Sequence, residues 1–310
     1  MNDYKPYSFP NFFILGAAKA GTTSLCGMLR RHPEIFMTQH KETQFFFNDK
    51  KYAKGLDFYI DSYFSGAQGY SKRGEGSPSY FHAPDIVAPR LVSALDSKKL
   101  KFVVILRDPV ERAWSHYLHR VRVNAEECSF AEALQLEEVR LARDPSQWVG
   151  YYRDGLYGNL VSRWFDYFEG EQFLFLRYED LASDWLHSLK AVCLHLDVDP
   201  GIEWPKKIVT NQAGVPRSKL FMRLLQQPRP YMRLLKPVLG EDRIARIRTK
   251  LNRLNTCVRP KPLLSVDEER HLRALYSPDI TLLEQLLGED FHSWKLLPEN
   301  DVTSASIDMG

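Results

Sequence analysis

The feature that most constrains the fold of this chain is a glycine loop set between an apolar run and a helical pattern near its start. Asn11-Phe-Phe-Ile-Leu15 is short and apolar, Gly16 stops it, and Thr22 to Arg31 follows with apolar residues at helical spacing. The order strand, glycine loop, helix is therefore expected. Along Gly16-Ala-Ala-Lys-Ala-Gly-Thr-Thr-Ser-Leu25, backbone N–H groups and a helix N-terminus converge and favour an anion. The spacing from Gly16 to Gly21 copies a nucleoside-triphosphate loop. Thr22, however, stands where GxxxxGK[ST] needs lysine, and the lysine is Lys19. That displacement argues against ATP or GTP hydrolysis.

The rest of the chain repeats the alternation. Lys101-Phe-Val-Val-Ile-Leu106 is continuously apolar and β-branched, as a parallel strand covered on both faces should be, and Pro109 then opens a helix. A short strand is expected at Ile35 to Thr38, beside the first. Leu156 to Phe168 reads as an amphipathic helix, Gln172 to Arg177 as a buried strand, Leu181 to Leu196 as a helix and Val266 to Leu287 as the closing helix. Such alternation predicts an α/β chain: a P-loop-like three-layer fold, its sheet mainly parallel with helices on both faces. The expected organisation is one domain over residues 1–298 and a polar, disordered tail over 299–310. The Arg-, Lys- and Pro-rich region 205–262 reads as irregular connections around short helices.

Charge and cysteine usage narrow the function classes. Formal net charge is +3, from 42 Lys+Arg against 39 Asp+Glu, too little for a global field that binds nucleic acid, so an anion site must be local. No stretch approaches a membrane span, and Met1 to Pro10 has neither the basic region nor the apolar core of a signal peptide. Cys26, Cys128, Cys193 and Cys257 lie far apart with no CxxC pair, so free thiols in a reducing, cytoplasmic compartment are expected, without metal.

A second anion grip follows the best strand. Arg107 ends it, and Ser115 lies about two turns into the next helix. Ligands of open α/β sheets sit at the carboxyl ends of strands, and a guanidinium with a hydroxyl suits a phosphate monoester. Two grips imply a nucleotide phosphorylated at two places. Asp108 is the acid nearest to where a magnesium-dependent enzyme would need one.

Carrying these residues, the chain resembles the sulfotransferases that use 3′-phosphoadenosine 5′-phosphosulfate (PAPS). Its glycine loop resembles that family's 5′-phosphosulfate loop, and Arg107 with Ser115 its 3′-phosphate motif. Lys41-Glu-Thr-Gln-Phe-Phe-Phe-Asn48, Tyr52-Ala-Lys-Gly-Leu-Asp-Phe-Tyr59 and Glu75-Gly-Ser-Pro-Ser-Tyr-Phe81 are similar to segments of the heparan sulfate N- and 3-O-sulfotransferase branch. Gly150-Tyr-Tyr-Arg-Asp-Gly-Leu-Tyr157 and Arg177-Tyr-Glu-Asp-Leu181 resemble later blocks of its bacterial relatives. The resemblance runs from about residue 11 to 295.

The resemblance implies PAPS as cosubstrate, adenosine 3′,5′-bisphosphate as product, no metal, and in-line sulfuryl transfer. It places Gly16, Ala18, Lys19, Ala20, Gly21, Thr22, Thr23 and Ser24 around the 5′ side of the donor, with Lys19 meeting the charge that builds on the leaving phosphate. The block Lys41-Glu42-Thr43 implies Glu42 as the general base; His40 is the alternative, because other sulfotransferases use histidine. Residues 210–219 resemble a loop that folds over the nucleotide, with Arg217 and Ser218 either at the 3′-phosphate end or in a plain solvated loop. Trp148, Tyr151, Tyr152 and Tyr157 read as a pocket wall or, more ordinarily, as core, and His116 and His119 as packing or surface residues.

Two departures point away from a heparan acceptor: Gly76 stands where relatives often carry lysine, and Cys257 has no nearby partner. The expected acceptor is a hydroxyl or amine on a carbohydrate, or a natural product such as a β-hydroxyacyl chain on a carrier protein. The competing readings are an NTP-dependent kinase and a non-catalytic nucleotide-binding module.

Overall fold

A computed structural model of the chain describes residues 9–39, 42–144, 149–204 and 262–296, with the short strands 214–216 and 256–258. Two compact units emerge, one of Met1–Ala113, Gly150–Thr210 and Val266–Gly310, the other of Trp114–Val149 and Asn211–Ser265.

The first unit is built on a five-stranded sheet. Its strands are β1 (Phe12–Gly16), β2 (Ile35–Met37), β3 (Lys72–Gly76), β4 (Lys101–Leu106) and β5 (Phe173–Arg177), in the order β2-β3-β1-β4-β5. Every pairing is parallel, so each connection must cross over the sheet, and helices supply the crossovers. These are α1 (Thr22–Leu29), α2 (Asp49–Tyr52), α3 (Gly55–Tyr63), α4 (Pro84–Ala94), α5 (Pro109–Arg122) and, after two helices of the second unit, α8 (Tyr157–Phe165). Phe13, Phe102 and Phe173 form one aromatic row across β1, β4 and β5, their rings stacked at 6.2 Å and 4.8 Å, with Trp164 of α8 packed on it.

β3 was not visible as a strand in the sequence. Lys-Arg-Gly-Glu-Gly has neither β-branched residues nor apolar alternation. Its glycines are demanded by packing. A Cβ at Gly74 would stand 2.4 Å from the Phe12 ring, and one at Gly76 would stand 2.4 Å from Cys26 Sγ. Successive residues of a strand face opposite ways, so Gly76 meets α1 while Glu75 faces Tyr59 of α3. Helices thus cover both faces, and the expected three-layer α/β fold is the one observed.

Two expectations are corrected. β2 was expected beside the first strand, but β3 stands between them, pairing Ile35↔Lys72 on one side and Phe12↔Gly74 on the other. The helix expected over Leu181 to Leu196 is two helices, α9 (Tyr178–Ser183) and α10 (Trp185–His195); between them the Asp184 side chain accepts from His187 N and restarts the turn. The closing helix α11 (Val266–Leu287) lies along α8, where the Asp279 carboxylate accepts from Gly158 N and Asn159 N at 2.8 and 2.9 Å and caps α8.

The second unit holds α6 (Phe130–Gln135), α7 (Glu137–Arg143) and an antiparallel pair, β6 (Gly214–Pro216) with β7 (Thr256–Val258). Trp114 stacks on Tyr117 and abuts Phe130, a Ser129/Glu132 capping box opens α6, and buried Glu126 pairs with Arg140 at 2.5 Å. Among the described residues no helix is long and apolar enough to cross a membrane. The tail 299–310 lies outside the described residues.

Candidate active site

The glycine loop leaves β1 under tight restraint. Ala17 N donates to Ile105 O of β4 at 2.7 Å, and a Cβ on Gly16 would fall 2.6 Å from Phe81 Cβ. Lys19 (φ 72°) and Gly21 (φ 90°) both take left-handed backbone, a shape that costs little at glycine and more at lysine. Gly21 is the N-cap of α1, and Ser24 N and Leu25 N turn back to its carbonyl. No acidic residue occupies the first turn of α1, so nothing there opposes an anion.

Arg107 is brought to this loop. Its Nη1 donates to Lys19 O at 3.1 Å, its Nη2 pairs with Glu111 Oε2 at 3.1 Å, and its guanidinium lies 4.7 Å over the Tyr178 ring. Tyr178 also backs the loop, since a Cβ on Gly21 would sit 3.3 Å from its ring. One aromatic face therefore supports both cationic segments. Sequence reasoning quoted Tyr178 within a block but gave it no role; its position just past a buried strand was the available signal.

Asp108 is engaged by its own helix and by α11. Its Oδ1 accepts from Val110 N and Glu111 N and caps α5, while its Oδ2 pairs with Arg273 of α11 at 3.0 Å. Arg273 also binds Glu269 and the Trp294 carbonyl. Glu179, whose carboxyl is pushed up by burial, accepts from Asp108 N.

Glu42 lies past β2, half-buried, at φ 59°. Its chain neighbours are fixed to the segment after β3: Gln44 N donates to Ser77 Oγ at 3.3 Å, Phe46 N donates to Tyr80 Oη at 3.1 Å, and Thr43 Oγ1 lies 3.3 Å from that same Tyr80 oxygen. The glycine loop borders this segment too, through Phe81 N to Leu15 O and the Gly16–Phe81 contact. The stretch Ser77–Phe81 is thus the common neighbour of Glu42's turn and Lys19's loop, despite the strand interposed between β2 and β1.

Ser115 belongs to the second unit and Arg107 to the first, and each is described within its own. His40, Arg217, Ser218 and Trp148 lie outside the described residues. Tyr151 and Tyr157 are core residues, with Tyr157 Oη donating to Arg107 O at 3.0 Å, and His116 is buried.

A parallel α/β sheet with a glycine loop and an arginine at adjoining strand ends defines the class of α/β proteins that bind an anionic ligand at the carboxyl edge of the sheet. The sulfotransferase-domain family model matches residues 9–212, more than half of the 310-residue chain, and the chain belongs to that sulfotransferase family. It is similar to the mouse bifunctional heparan sulfate N-deacetylase/N-sulfotransferase 3, at 31% identity over 62% of this chain and 22% of that one. It is also similar to the mouse heparan sulfate glucosamine 3-O-sulfotransferase 3A1, at 34% identity over 59% of this chain and 44% of that one. The chain therefore spans less than half the length of either relative. Among solved structures, a sulfotransferase from Alicyclobacillus acidocaldarius superposes with TM-score 0.69 at 26% identity, over 93% of this chain and 99% of that one.

Proposed function

We propose that the chain transfers a sulfuryl group from PAPS to a hydroxyl or amine, on a carbohydrate acceptor. The observation that carries this reading is the Arg107–Lys19 carbonyl bond, which ties a guanidinium to a lysine-bearing glycine loop at adjoining strand ends. The donor set suits a doubly phosphorylated nucleotide: backbone N–H groups and the hydroxyls of Thr22, Thr23 and Ser24 for the phosphosulfate, and Arg107 for the 3′-phosphate. Similarity to relatives named for heparan sulfate supports a carbohydrate acceptor, with a carrier-bound hydroxyacyl chain as the competitor.

In this reading the acceptor oxygen or nitrogen attacks sulfur in line, and the bond from sulfur to the bridging phosphate oxygen breaks. Glu42 takes the acceptor's proton while Lys19 neutralises charge on the departing phosphate. The test is transfer from sulfur-labelled PAPS to glycan, phenol, lipid and carrier-bound acceptors by wild type and two variants. Glu42→Gln should lower transfer by about 10²–10⁴-fold with PAPS affinity unaltered. Lys19→Ala should nearly abolish it in a folded protein. Transfer to no glycan, or wild-type turnover by both variants, overturns the reading.

A further inference from the structure

Beneath the Glu42 turn lies a buried acid that the proposed transfer chemistry leaves unused. Glu75 of β3 is 0% exposed, and its carboxylate is enclosed with the buried Tyr59 Oη, the hydroxyls of Tyr59, Tyr80 and Thr43 turned toward it but outside close hydrogen-bond geometry. The groups facing the carboxyl are the hydroxyls of Tyr59 and Tyr63 from α3, Tyr80 from the segment after β3, Thr43 from the Glu42 turn, and the ammonium of Lys51 from α2. Lys51 Nζ is itself engaged with Thr43 O at 2.5 Å.

The hydrogen-bond arithmetic of this cluster is incomplete without Glu75. Tyr80 Oη accepts from Phe46 N, and Thr43 Oγ1 accepts from Phe45 N at 3.2 Å. Each oxygen keeps one proton to donate. The two lie 3.3 Å apart, so one proton can serve the pair and the other needs an acceptor. The buried carboxyl is that acceptor, reached by a small side-chain adjustment.

We propose that Glu75 is a positioning residue for sulfuryl transfer: through the Thr43 and Tyr80 hydroxyls its carboxyl group fixes the turn that presents Glu42. The proposal rests on Glu42 being the base. A neutral carboxyl completes the cluster, accepting with one oxygen and donating with the other. An ionised one would hold a charge away from water and draw all three hydroxyl protons onto itself, breaking the Thr43–Tyr80 hydrogen bond that ties the turn to the segment after β3 and loosening the turn that carries Phe45 and Phe46. Burial raises this carboxyl from 4.5 to about 7, with the hydroxyls and Lys51 opposing the rise, so the exchange between the two arrangements falls near neutral pH.

The experiment measures kcat and product-nucleotide affinity from acid to alkaline pH for wild type, Glu75→Gln and Glu75→Ala, with amide exchange at Phe45 and Phe46. Wild-type kcat should decline above about pH 7, as Glu75 ionises. Glu75→Gln, isosteric and permanently neutral, should keep the acid-side kcat within about threefold and lose the decline. Glu75→Ala should lower kcat by about 10–100-fold at every pH while nucleotide affinity holds. An alkaline decline that survives in Glu75→Gln, or wild-type kcat in Glu75→Ala, overturns the proposal. If Glu75→Ala does not fold, Glu75→Gln decides alone. If Glu42→Gln proves fully active, the base reading falls separately. Glu75 is then judged by exchange: protection at Phe45 and Phe46 should fall with rising pH in wild type and stay level in Glu75→Gln, and identical profiles overturn its positioning role.

Discussion

Arg107 shows how much a single side chain can commit in advance. Its Nη1 is held by the Lys19 carbonyl, its plane by the Tyr178 ring, and only its pairing with Glu111, a half-exposed carboxylate, is easily surrendered. Such an exposed ion pair contributes about 0–1 kcal/mol, so an arriving phosphate dianion can displace Glu111 at small cost. Arg107→Ala should therefore weaken adenosine 3′,5′-bisphosphate by about 1.5–3 kcal/mol while leaving AMP nearly unaffected. Calorimetric titration with both nucleotides checks this, and equal losses would detach Arg107 from the 3′-phosphate. Lys19 and Arg107 were legible because each is a local break in pattern, a cation placed where an apolar strand stops. Tyr178 and the Thr43–Tyr80 contact were not, because they exist only through residues distant in sequence. The burial of Glu75 was not legible either, since an acid in a polar, glycine-rich string is ordinarily exposed.

At the scale of elements, the legible strands were those with a continuous apolar run. β1, β4 and β5 announced themselves; β3 did not, because its neighbours claim the space its side chains would have filled. The strand order followed that failure, since a sheet with one strand unseen puts β2 next to the wrong partner. The closing helix α11 was visible from its periodicity, but not what it does. Arg273, nearly buried, reaches from α11 to Asp108 at the N-cap of α5. Arg273→Met should cost about 2–3 kcal/mol by leaving the partly exposed Asp108 carboxylate, at 13% side-chain exposure, without its counter-charge. Combining it with Asp108→Asn should recover a part, since the second change removes the orphaned charge. Urea unfolding of both single variants and the double one measures the coupling, and strictly additive losses would mean that the pair acts as two independent caps.

For the molecule as a whole, the α/β class followed from alternating elements, whereas of the second unit only the compositionally distinct stretch 205–262 stood out in the sequence, and Trp114–Val149 did not. One buried acid should nevertheless be felt globally. Between about 4.5, the ordinary carboxyl value, and about 7, the folded protein retains a proton at Glu75 that the unfolded chain has released. Unfolding free energy contributed by this group is complete below that window and is lost as pH rises through about 7, a change of roughly 3 kcal/mol. Glu75→Gln should flatten that part of the stability profile, read as urea midpoints from pH 4.5 to 8. An unchanged slope would place the neutral-range titration elsewhere.

The contact between Cys26 and Gly76 sets an order on substitution. A sulfur atom of α1 occupies the volume where a side chain at residue 76 would begin. A larger residue there must wait until the thiol turns aside or is shortened to alanine, whereas the thiol can be shortened with the glycine in place. The route is therefore one-way: the helix has to give up its sulfur before the strand can gain a side chain.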